Sequence, residues 1–147
     1  MYDKALQSAT RMLSSREHSV MEMTRKLQQK DFSTEVIDEV VNNLVNGNVL
    51  SDERYADVYV RMRSAKGYGP SRIKNELRER GVDEATIEQG FGENKIDWFA
   101  LATEVRARKF GDDLPGDYAM KAKQMRFLQY RGFTQAQLSA AMNGLED

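Results

Sequence analysis

Apolar side chains recur along most of this chain at the spacing of an α-helix. From residue 36 to residue 45 they occupy positions i, i+1, i+4, i+5, i+8 and i+9, so they lie on one helical face although several are β-branched. The same four-residue step joins Met23 to Leu27 and Ile73 to Leu77. The two prolines of the chain stand at a helix start and in a loop, where proline is tolerated. The pattern predicts an all-α protein.

The sequence also repeats itself at a spacing of about 50 residues, which is typical of helical repeat arrays. Each repeat carries a leucine, a basic residue, a residue type that favours helix N-caps and an aliphatic residue, in that order. The sets are Leu27, Lys30, Ser33 and Ile37, then Leu77, Arg80, Asp83 and Ile87, then Leu128, Arg131, Thr134 and Leu138. This regularity predicts that one supersecondary unit occurs three times.

Each repeat is predicted to contain three helices. The second of them ends near Asp31, Gly81 or Gly132, where glycine can adopt the left-handed conformation that terminates a helix. A single three-helix unit buries little apolar surface, so neighbouring units are expected to share apolar faces. The predicted fold is an elongated, right-handed-type array of three tandem three-helix repeats. The predicted repeats cover residues 1–50, 51–94 and 95–147, and the predicted helices cover residues 2–14, 19–30, 33–46, 51–65, 70–80, 83–94, 95–108, 117–131 and 134–143.

Charge changes sign along the chain, although the 147 residues sum to a net charge of only −1. Seven acidic residues stand against one arginine between residues 31 and 57, and seven basic residues stand against two acidic ones between residues 61 and 80. Apolar residues make up 40% of the chain and charged residues 31%, which suits a modest core with a highly charged surface. Such a chain can present a basic face to a polyanion and an acidic face to another partner.

The composition excludes several classes of site. The chain has no cysteine, which rules out disulfide bonds, thiolate metal sites and cysteine nucleophiles and agrees with a reducing cytoplasm. Residues 1–11 contain no continuous apolar run, so no signal peptide is predicted. No stretch approaches the roughly 18 apolar residues that span a bilayer. We therefore expect a cytoplasmic protein that does not bind a membrane.

Nothing in the sequence indicates an active site. His18 is the only histidine, and its polar neighbours predict a surface or capping role. Asp112 and Asp113 lie in a predicted loop without a third acid or a spaced histidine, which argues against a metal site. No glycine-rich loop ends in Gly-Lys-Ser/Thr, so no phosphate cradle of that type is expected. The prediction is a non-enzyme without a cofactor or metal.

Residues 67–70, Gly-Tyr-Gly-Pro, form the most distinctive local motif. The simpler interpretation is a turn, because glycine ends one helix and proline starts the next. The functional interpretation is a basic rim around an exposed helix N-terminus, which favours phosphates or carboxylates, with Tyr68 stacked on a base. The basic residues that flank the motif are Arg61, Arg63, Lys66, Arg72 and Lys74.

A second basic cluster lies in the third repeat and consists of Lys121, Lys123, Arg126, Tyr130 and Arg131. Lys123, Arg126 and Tyr130 follow i, i+3 and i+4 steps, so they share one side of a helix. An ordinary solvated face, above buried residues at 127 and 128, accounts for the same residues. The candidate contact residues from the two clusters are Arg61, Arg63, Lys66, Tyr68, Arg72, Lys74, Lys123, Arg126, Tyr130 and Arg131.

Four linked motifs resemble those of the RecX family of bacterial regulators. They are residues 14–19 (SSREHS), 51–56 (SDERYA), 66–70 (KGYGP) and 126–133 (RFLQYRGF). The motifs stand in order, at natural spacing, across nearly the whole chain, and together they are far more specific than any one of them. Ser15 departs from the arginine that is usual in the family, which removes one possible basic contact, and Asn48-Val49 replaces the commoner aromatic pattern.

The resemblance implies three tandem three-helix repeats that bind along the helical groove of the RecA–single-stranded-DNA filament. It also implies suppression of strand exchange, ATP hydrolysis and co-protease activity, without any catalytic residue. On this basis we expect a negative modulator of RecA in the SOS response, DNA repair and homologous recombination. The implied partners are RecA and the single-stranded DNA in its filament, with direct contacts to DNA left open, and we expect the chain to act as a monomer.

Two other functions fit the same helical pattern. A stand-alone nucleic-acid-binding module would bind DNA tightly without RecA and with a steep salt dependence, although the net charge of −1 argues against it. A helical adaptor for another protein would leave DNA-dependent ATP hydrolysis unchanged. The rate of that hydrolysis, together with DNA binding in the absence of RecA, therefore separates the three hypotheses.

Overall fold

The computed structural model describes residues 1–143, and all regular secondary structure in this range is α-helical. Its helices are α1 (Tyr2–Ser15), α2 (Val20–Gln29), α3 (Thr34–Asn46), α4 (Asp52–Ala65), α5 (Pro70–Glu79), α6 (Glu84–Asn94), α7 (Trp98–Phe110), α8 (Tyr118–Arg131) and α9 (Gln135–Asn143). Within these residues no helix has both the length and the apolar character needed to cross a membrane. The end of the third predicted repeat, residues 144–147, lies outside the described residues.

The all-α prediction is confirmed, and the predicted helix whose bounds differ most from the observed ones lies near the start of the third repeat. The helix predicted over 95–108 is α7, which begins at Trp98 and ends at Phe110. It starts late because Lys95 has a positive φ of 48° and because the Asp97 side chain accepts a hydrogen bond from the Ala100 amide at 3.0 Å. An N-capping aspartate therefore sets the helix start.

The predicted N-cap residues of the three repeats do cap helices. Ser33 Oγ accepts from the Val36 amide at 3.2 Å, Asp83 Oδ1 from the Thr86 amide at 2.8 Å and Thr134 Oγ1 from the Gln137 amide at 3.3 Å. Each bond satisfies one of the amide groups that the first turn of a helix leaves without an internal partner. The capping chemistry thus recurs with the repeat.

The predicted left-handed helix ends are also confirmed. Gly81 has φ 84°, Gly132 has φ 103° and Asp31, at the matching position of the first repeat, has φ 68°. Aspartate tolerates this conformation better than most side chains because its short polar group can bond to the local backbone. The chain therefore reverses in the same way at three points, one of them without glycine.

The helices group into two compact units, and the first comprises Met1–Tyr59 with Leu77–Glu93. Its central cluster draws mainly on α1, α2 and α3. It includes Met23, Leu27 and most of the apolar face predicted over residues 36–45, whereas Val45 of that face is exposed. The buried residues of this cluster are Ala5, Ala9, Met23, Leu27, Ile37, Val40, Val41, Leu44 and Leu50. Burial of these side chains offsets the conformational entropy lost when three short helices become ordered.

The second unit comprises Val60–Glu76 and the chain from Asn94 onward. Its apolar core joins α7, α8 and α9. The buried residues of this core are Ala102, Val105, Leu128, Phe133, Leu138, Ala141 and Met142. Every member of the predicted basic clusters belongs to this second unit, so the candidate site lies within it.

The motif at residues 14–19 has a structural role in the first unit. Ser19 and Glu22 form a reciprocal capping box at the start of α2, and Ser19 Oγ also donates to the Arg80 carbonyl at 2.8 Å. His18, for which the sequence predicts a surface or capping role, is buried, with 1% of its area exposed. Lys26 Nζ lies 3.0 Å from His18 Nε2, and Nδ1 lies 3.1 Å from the Arg16 carbonyl. These partners fit a neutral ring that carries its proton on Nδ1.

Acidification below about pH 6.5 is expected to destabilise the protein through His18. Burial, followed by the positive charges of Arg16 and Lys26, lowers the pKa of His18 despite its bond to the Arg16 carbonyl. The unfolded chain therefore takes up a proton at a higher pH than the folded chain does. The contribution of the neutral His18 ring to the free energy of unfolding is complete above the ordinary histidine pKa of about 6.5. It decreases as the pH falls through and below that value.

Urea-induced unfolding measured between pH 8 and pH 5.5 checks this expectation. The free energy of unfolding of the wild type should fall on acidification, while that of His18→Gln should stay nearly level over this range. Equal slopes for the two proteins would show that a group other than His18 carries the pH dependence.

Candidate functional site

The turn between α4 and α5 is held by the end of α8. The Gly69 amide donates to the Arg131 carbonyl at 2.8 Å, and the Ser71 amide donates to the Gly132 carbonyl at 2.9 Å. Donors from the start of α5 thereby meet acceptors from the end of α8, and each helix end satisfies groups that the other leaves unpaired. The turn interpretation of residues 67–70 is correct in geometry, and it also brings the two predicted basic clusters together.

Two glycines make this close approach possible. A Cβ atom on Gly69 would lie 2.5 Å from the Gly132 carbonyl carbon, and one on Gly132 would lie 2.3 Å from the Arg72 Cβ. Real Cβ atoms do not come this close to backbone or Cβ atoms. The two glycines therefore let the backbones at residues 69 and 132 come into contact, which fixes the backbone positions from which the Arg72 and Arg131 side chains extend.

Three guanidinium groups surround the Tyr68 ring. The Cζ atoms of Arg63, Arg72 and Arg131 lie 3.9, 4.6 and 4.8 Å from the ring centroid. These distances are within the range of cation–π attraction, and Tyr68 is only half-buried. We call these four residues the Tyr68 cluster. The tyrosine gathers arginines from α4, α5 and α8 into one positive surface.

Glu76 holds two arginines of the cluster in place. Arg63 binds it through two bonds, from Nε to Oε1 at 3.0 Å and from Nη2 to Oε2 at 2.9 Å, and Arg72 Nε donates to Oε2 at 3.1 Å. Only 15% of the Glu76 side chain is exposed, which makes these bonds stronger than those of a solvated pair. One carboxylate thus binds two of the three cations, and the cluster keeps a positive excess.

Tyr130 projects from the edge of the cluster. Its side chain is 75% exposed, Arg72 Cζ lies 5.0 Å from its ring centroid, and Arg72 Nη1 donates to the Tyr130 carbonyl at 3.2 Å. Burial lowers the pKa of Arg72, but the bonds to Glu76 and Tyr130 raise it by more, so its pKa lies above the ordinary value. A flat aromatic ring beside a fixed cation suits stacking on a nucleic-acid base.

Other predicted contact residues lie outside the cluster. Arg61 is exposed and donates to Asn94 Oδ1 at 3.5 Å, and Lys74 is half-buried on α5. Lys123 and Arg126 are exposed on α8, where Arg126 lines a separate cleft between α8 and α9. Five of the ten predicted contact residues lie in the Tyr68 cluster or at its edge, namely Arg63, Tyr68, Arg72, Tyr130 and Arg131. Lys66 is linked to them because its backbone carbonyl accepts a hydrogen bond from Arg131.

Basic residues of α7 were missed by the sequence analysis. Arg108 and Lys109 line a cleft of about 200 Å³ together with Lys66 and Arg131. Residues 106–109, Arg-Ala-Arg-Lys, place three cations in the last turns of a helix, a pattern that is also typical of an ordinary solvated helix end. Arg106 has a different role, since it is buried and bonds to Gln124 Oε1 at 3.2 Å and to the Asp112 carbonyl at 3.2 Å.

The groups on this surface are suited to binding a polyanion. It offers guanidinium and ammonium groups as donors, exposed aromatic rings for stacking, and a net positive charge for a polyanion. No group of three or more histidine and carboxylate side chains within residues 1–143 is arranged to hold a metal ion.

Three family models match successive segments of the chain. The model of the first three-helix domain of RecX matches residues 5–44, that of the second matches residues 51–90, and that of the third matches residues 96–142. The second match contains the Tyr68 turn and all of the first basic cluster, and the third contains α8. Together the three models cover most of the chain.

Whole-chain comparisons agree with the family models. The chain is 40% identical over 137 residues to regulatory protein RecX of Pseudomonas entomophila (strain L48), covering 93% of this chain and 88% of that protein. It is 36% identical to regulatory protein RecX of Ectopseudomonas mendocina (strain ymp), covering 95% and 93%.

Solved structures support the fold independently. A crystal structure of regulatory protein RecX superposes with a TM-score of 0.83 at 21% identity, covering 97% of this chain and 73% of that one. The crystal structure of RecX from Lactobacillus salivarius gives a TM-score of 0.78 at 23% identity, covering 97% and 94%. The tandem three-helix repeats, the three matched domain models and the identity to its relatives establish that this chain belongs to the RecX family of regulatory proteins.

Proposed function

We propose that this chain is a negative modulator of RecA that binds the RecA–single-stranded-DNA filament. In this proposal, binding inhibits ATP hydrolysis, strand exchange and co-protease activity. Membership of the RecX family supports the regulatory role. The contacts run through the second unit, where the candidate residues of two repeats meet at Tyr68.

The observation that carries this proposal is the Tyr68 cluster with the exposed ring of Tyr130. Three guanidiniums lie within 5 Å of one ring centroid, and one carboxylate, Glu76, binds two of them. This surface keeps its positive excess although the whole chain has a net charge of −1. A filament of RecA and DNA presents phosphates, which such a surface attracts.

Binding to a filament favours a protein with several modest contacts. Each turn of a filament displays the same sites again, so contacts from one folded chain reinforce one another through effective concentration. Charged residues at the rim, Lys123 and Arg126 among them, would raise the association rate and make it sensitive to salt. Tyr130 would add a contact with little salt dependence.

The proposal includes the setting in which the protein acts. It acts in the cytoplasm as a monomer and without catalysis of its own, in DNA repair, recombination and the SOS response. Residues 1–50, 51–94 and 95–147 serve as its three repeats. Inhibition then follows from occupancy of the filament and should rise with the amount of protein bound.

The test is the rate of single-stranded-DNA-dependent ATP hydrolysis by RecA, with this protein added below the molar amount of RecA. Suppression at such ratios is the expected result, because one bound molecule acts on a filament that contains many RecA subunits. Unchanged hydrolysis, with the protein shown to be folded by circular dichroism, would contradict the proposal. Tight binding to DNA alone in that case would favour a stand-alone nucleic-acid-binding module.

Replacing Tyr130 by alanine is expected to weaken the inhibition roughly tenfold, because a stacked aromatic ring contributes about 1–3 kcal/mol. The ring is 75% exposed, so its loss should leave the fold intact. Tyr118→Ala is the matched control, since Tyr118 is 86% exposed at the other end of α8. The measurement is the concentration that halves RecA's ATP hydrolysis.

Equal loss of inhibition in both variants would point to a general effect on α8. Inhibition by Tyr130→Ala equal to that of the wild type would remove Tyr130 from the contact surface and leave the regulatory role standing.

A further inference from the structure

A second basic feature of the second unit is the cleft between the end of α4, the end of α7 and α8. It is lined by Lys66, Gly67, Val105, Arg108, Lys109, Phe127 and Arg131, and its volume is about 200 Å³. Four of its seven lining residues are cations, and none of the seven is acidic. A cleft with this composition concentrates positive potential more strongly than a flat basic surface, because its low-dielectric walls focus the field.

The cations of the cleft outnumber their local counter-charges. Arg108 pairs with Glu104 one turn earlier on α7. Arg131 uses one donor on the Lys66 carbonyl at 3.0 Å, which leaves the rest of its guanidinium for other acceptors. Neither Lys66 nor Lys109 forms an ion pair within the described residues. The lining therefore carries an excess of about three positive charges.

Apolar groups fix these cations around the opening. Lys109 Nζ lies 5.5 Å and Arg131 Cζ lies 5.2 Å from the centroid of the Phe127 ring. Phe127 in turn packs edge-on against Phe110, with 5.4 Å between ring centroids. Cation–π contacts thus hold one cation from α7 and one from α8 near a common ring. The distance between the two cations is therefore set before a ligand binds.

Gly67 keeps the cleft open. A Cβ atom at this position would lie 3.1 Å from Arg131 Nη1 and 3.2 Å from Val105 Cγ2. A larger residue would therefore press on Arg131 and fill the space among the cations. The cleft thus accounts for the glycine at position 67, which the Tyr68 cluster does not explain.

We propose that the cleft binds a phosphate monoester or polyphosphate group, as found at the 5′ end of a DNA strand or on a free nucleotide. Lys66, Arg108, Lys109 and Arg131 hold the phosphate oxygens by charge-assisted hydrogen bonds. This goes beyond the regulation of RecA proposed above, because the site requires no RecA. Arg108 and Lys109 are also outside the set of proposed filament contacts, so the two proposals can fail separately.

Charge matching selects this class of phosphate. An internal phosphodiester carries one negative charge, whereas a terminal phosphate carries about 1.5 to 2 near neutral pH, as other phosphate monoesters do. A polyphosphate carries more still. An excess of about three positive charges in one small cleft is better neutralised by these groups than by a diester. Discrimination between strand ends and strand interiors is the expected consequence.

The experiment is a titration of 15N-labelled wild-type protein followed by backbone NMR, without RecA. The probes are inorganic pyrophosphate, ATP, an eight-residue oligothymidylate with a 5′-phosphate and the same oligonucleotide with a 5′-hydroxyl. Pyrophosphate should shift the amide signals of Gly67, Val105 and Phe127. The phosphorylated strand should bind at the cleft at least about fivefold more tightly than the hydroxyl strand, a difference of about 1 kcal/mol.

Two double variants with equal changes in net charge locate the site. Arg108→Gln with Lys109→Gln should weaken pyrophosphate binding by about tenfold or more, because it removes two of the four cations. Lys4→Gln with Lys30→Gln, at exposed positions of the first unit, should change it by less than about twofold. Circular dichroism and the unfolding midpoint show that both variants are folded.

Tighter binding of the phosphorylated strand than of ATP would support the proposal and identify a strand end as the ligand. The reverse order would support it with a free nucleotide as the ligand. An absence of shifts at the cleft, equal losses in the two double variants, or equal binding of the two oligonucleotides together with ATP binding no tighter than either of them would overturn it. RecA inhibition by the wild type is measured separately and bears only on the proposed function.

Discussion

Replacing Gly132 by alanine is expected to destabilise the protein by about 2–4 kcal/mol, through backbone strain and overpacking together. Gly132 has φ 103°, which alanine adopts only at a cost, and the new Cβ would lie 2.3 Å from the Arg72 Cβ and 2.8 Å from the Arg72 amide nitrogen. Relief of this clash requires α5 and α8 to move apart. The measurement is the free energy of unfolding from urea titration.

Gly92→Ala is the matched control for this substitution. Gly92 lies within α6, and nothing stands within 4 Å of the position that its Cβ would take. Alanine there should stabilise the protein by about 0.5–1 kcal/mol, since glycine is a poor helix former. Opposite signs for the two variants are expected. A Gly132→Ala protein as stable as the wild type would mean that α5 and α8 do not need this close contact.

Replacing Glu76 by glutamine is expected to destabilise the protein by about 1–3 kcal/mol, because the substitution removes the carboxylate that binds Arg63 and Arg72. The amide group of glutamine would direct a donor toward a guanidinium that needs an acceptor. The arginines would then repel one another across Tyr68. We also expect weaker inhibition of RecA, since the arginines would no longer hold a fixed arrangement.

Glu79→Gln tests whether loss of any carboxylate on α5 has the same effect. The Glu79 side chain is 76% exposed, and its Oε1 lies 3.9 Å from Arg80 Nη1. A pair of this kind contributes little, so the variant should unfold within about 0.5 kcal/mol of the wild type. Similar destabilisation by both variants would argue against a special role for Glu76. A double-mutant cycle of Glu76→Gln with Arg63→Gln isolates the coupling between these two residues.

The exposed surface of the second unit was only partly predictable. The sequence places Arg63, Tyr68 and Arg72 in one predicted basic rim and Tyr130 and Arg131 in a second basic cluster, and the structure brings the two together. The contact depends on two glycines that are 63 positions apart in the chain, and no local pattern links them. Arg108 and Lys109 were missed because a basic helix end has no sequence signal that distinguishes a cleft from an ordinary solvated surface.

His18 shows the limit of reasoning from neighbours in sequence. Its polar flanks predict a surface or capping role, yet the side chain is buried beside Lys26. Whether a polar residue is buried depends on the partners that the folded chain supplies, since a buried polar group must be hydrogen-bonded. Lys26 and the Arg16 carbonyl are such partners. They reach the His18 ring only because the turn before α2 brings this ring between the Arg16 carbonyl and Lys26.

The sequence by itself determined the helices, the threefold repeat and the points where each repeat caps and reverses. These features depend on interactions within a few residues, namely apolar periodicity, capping side chains and left-handed turns, so a linear pattern contains them. Tertiary structure alone decided which basic residues meet and which remain apart. It also decided that Glu76 binds two arginines and that four cations surround one cleft, because long-range contacts depend on how helices pack and not on the order of residues.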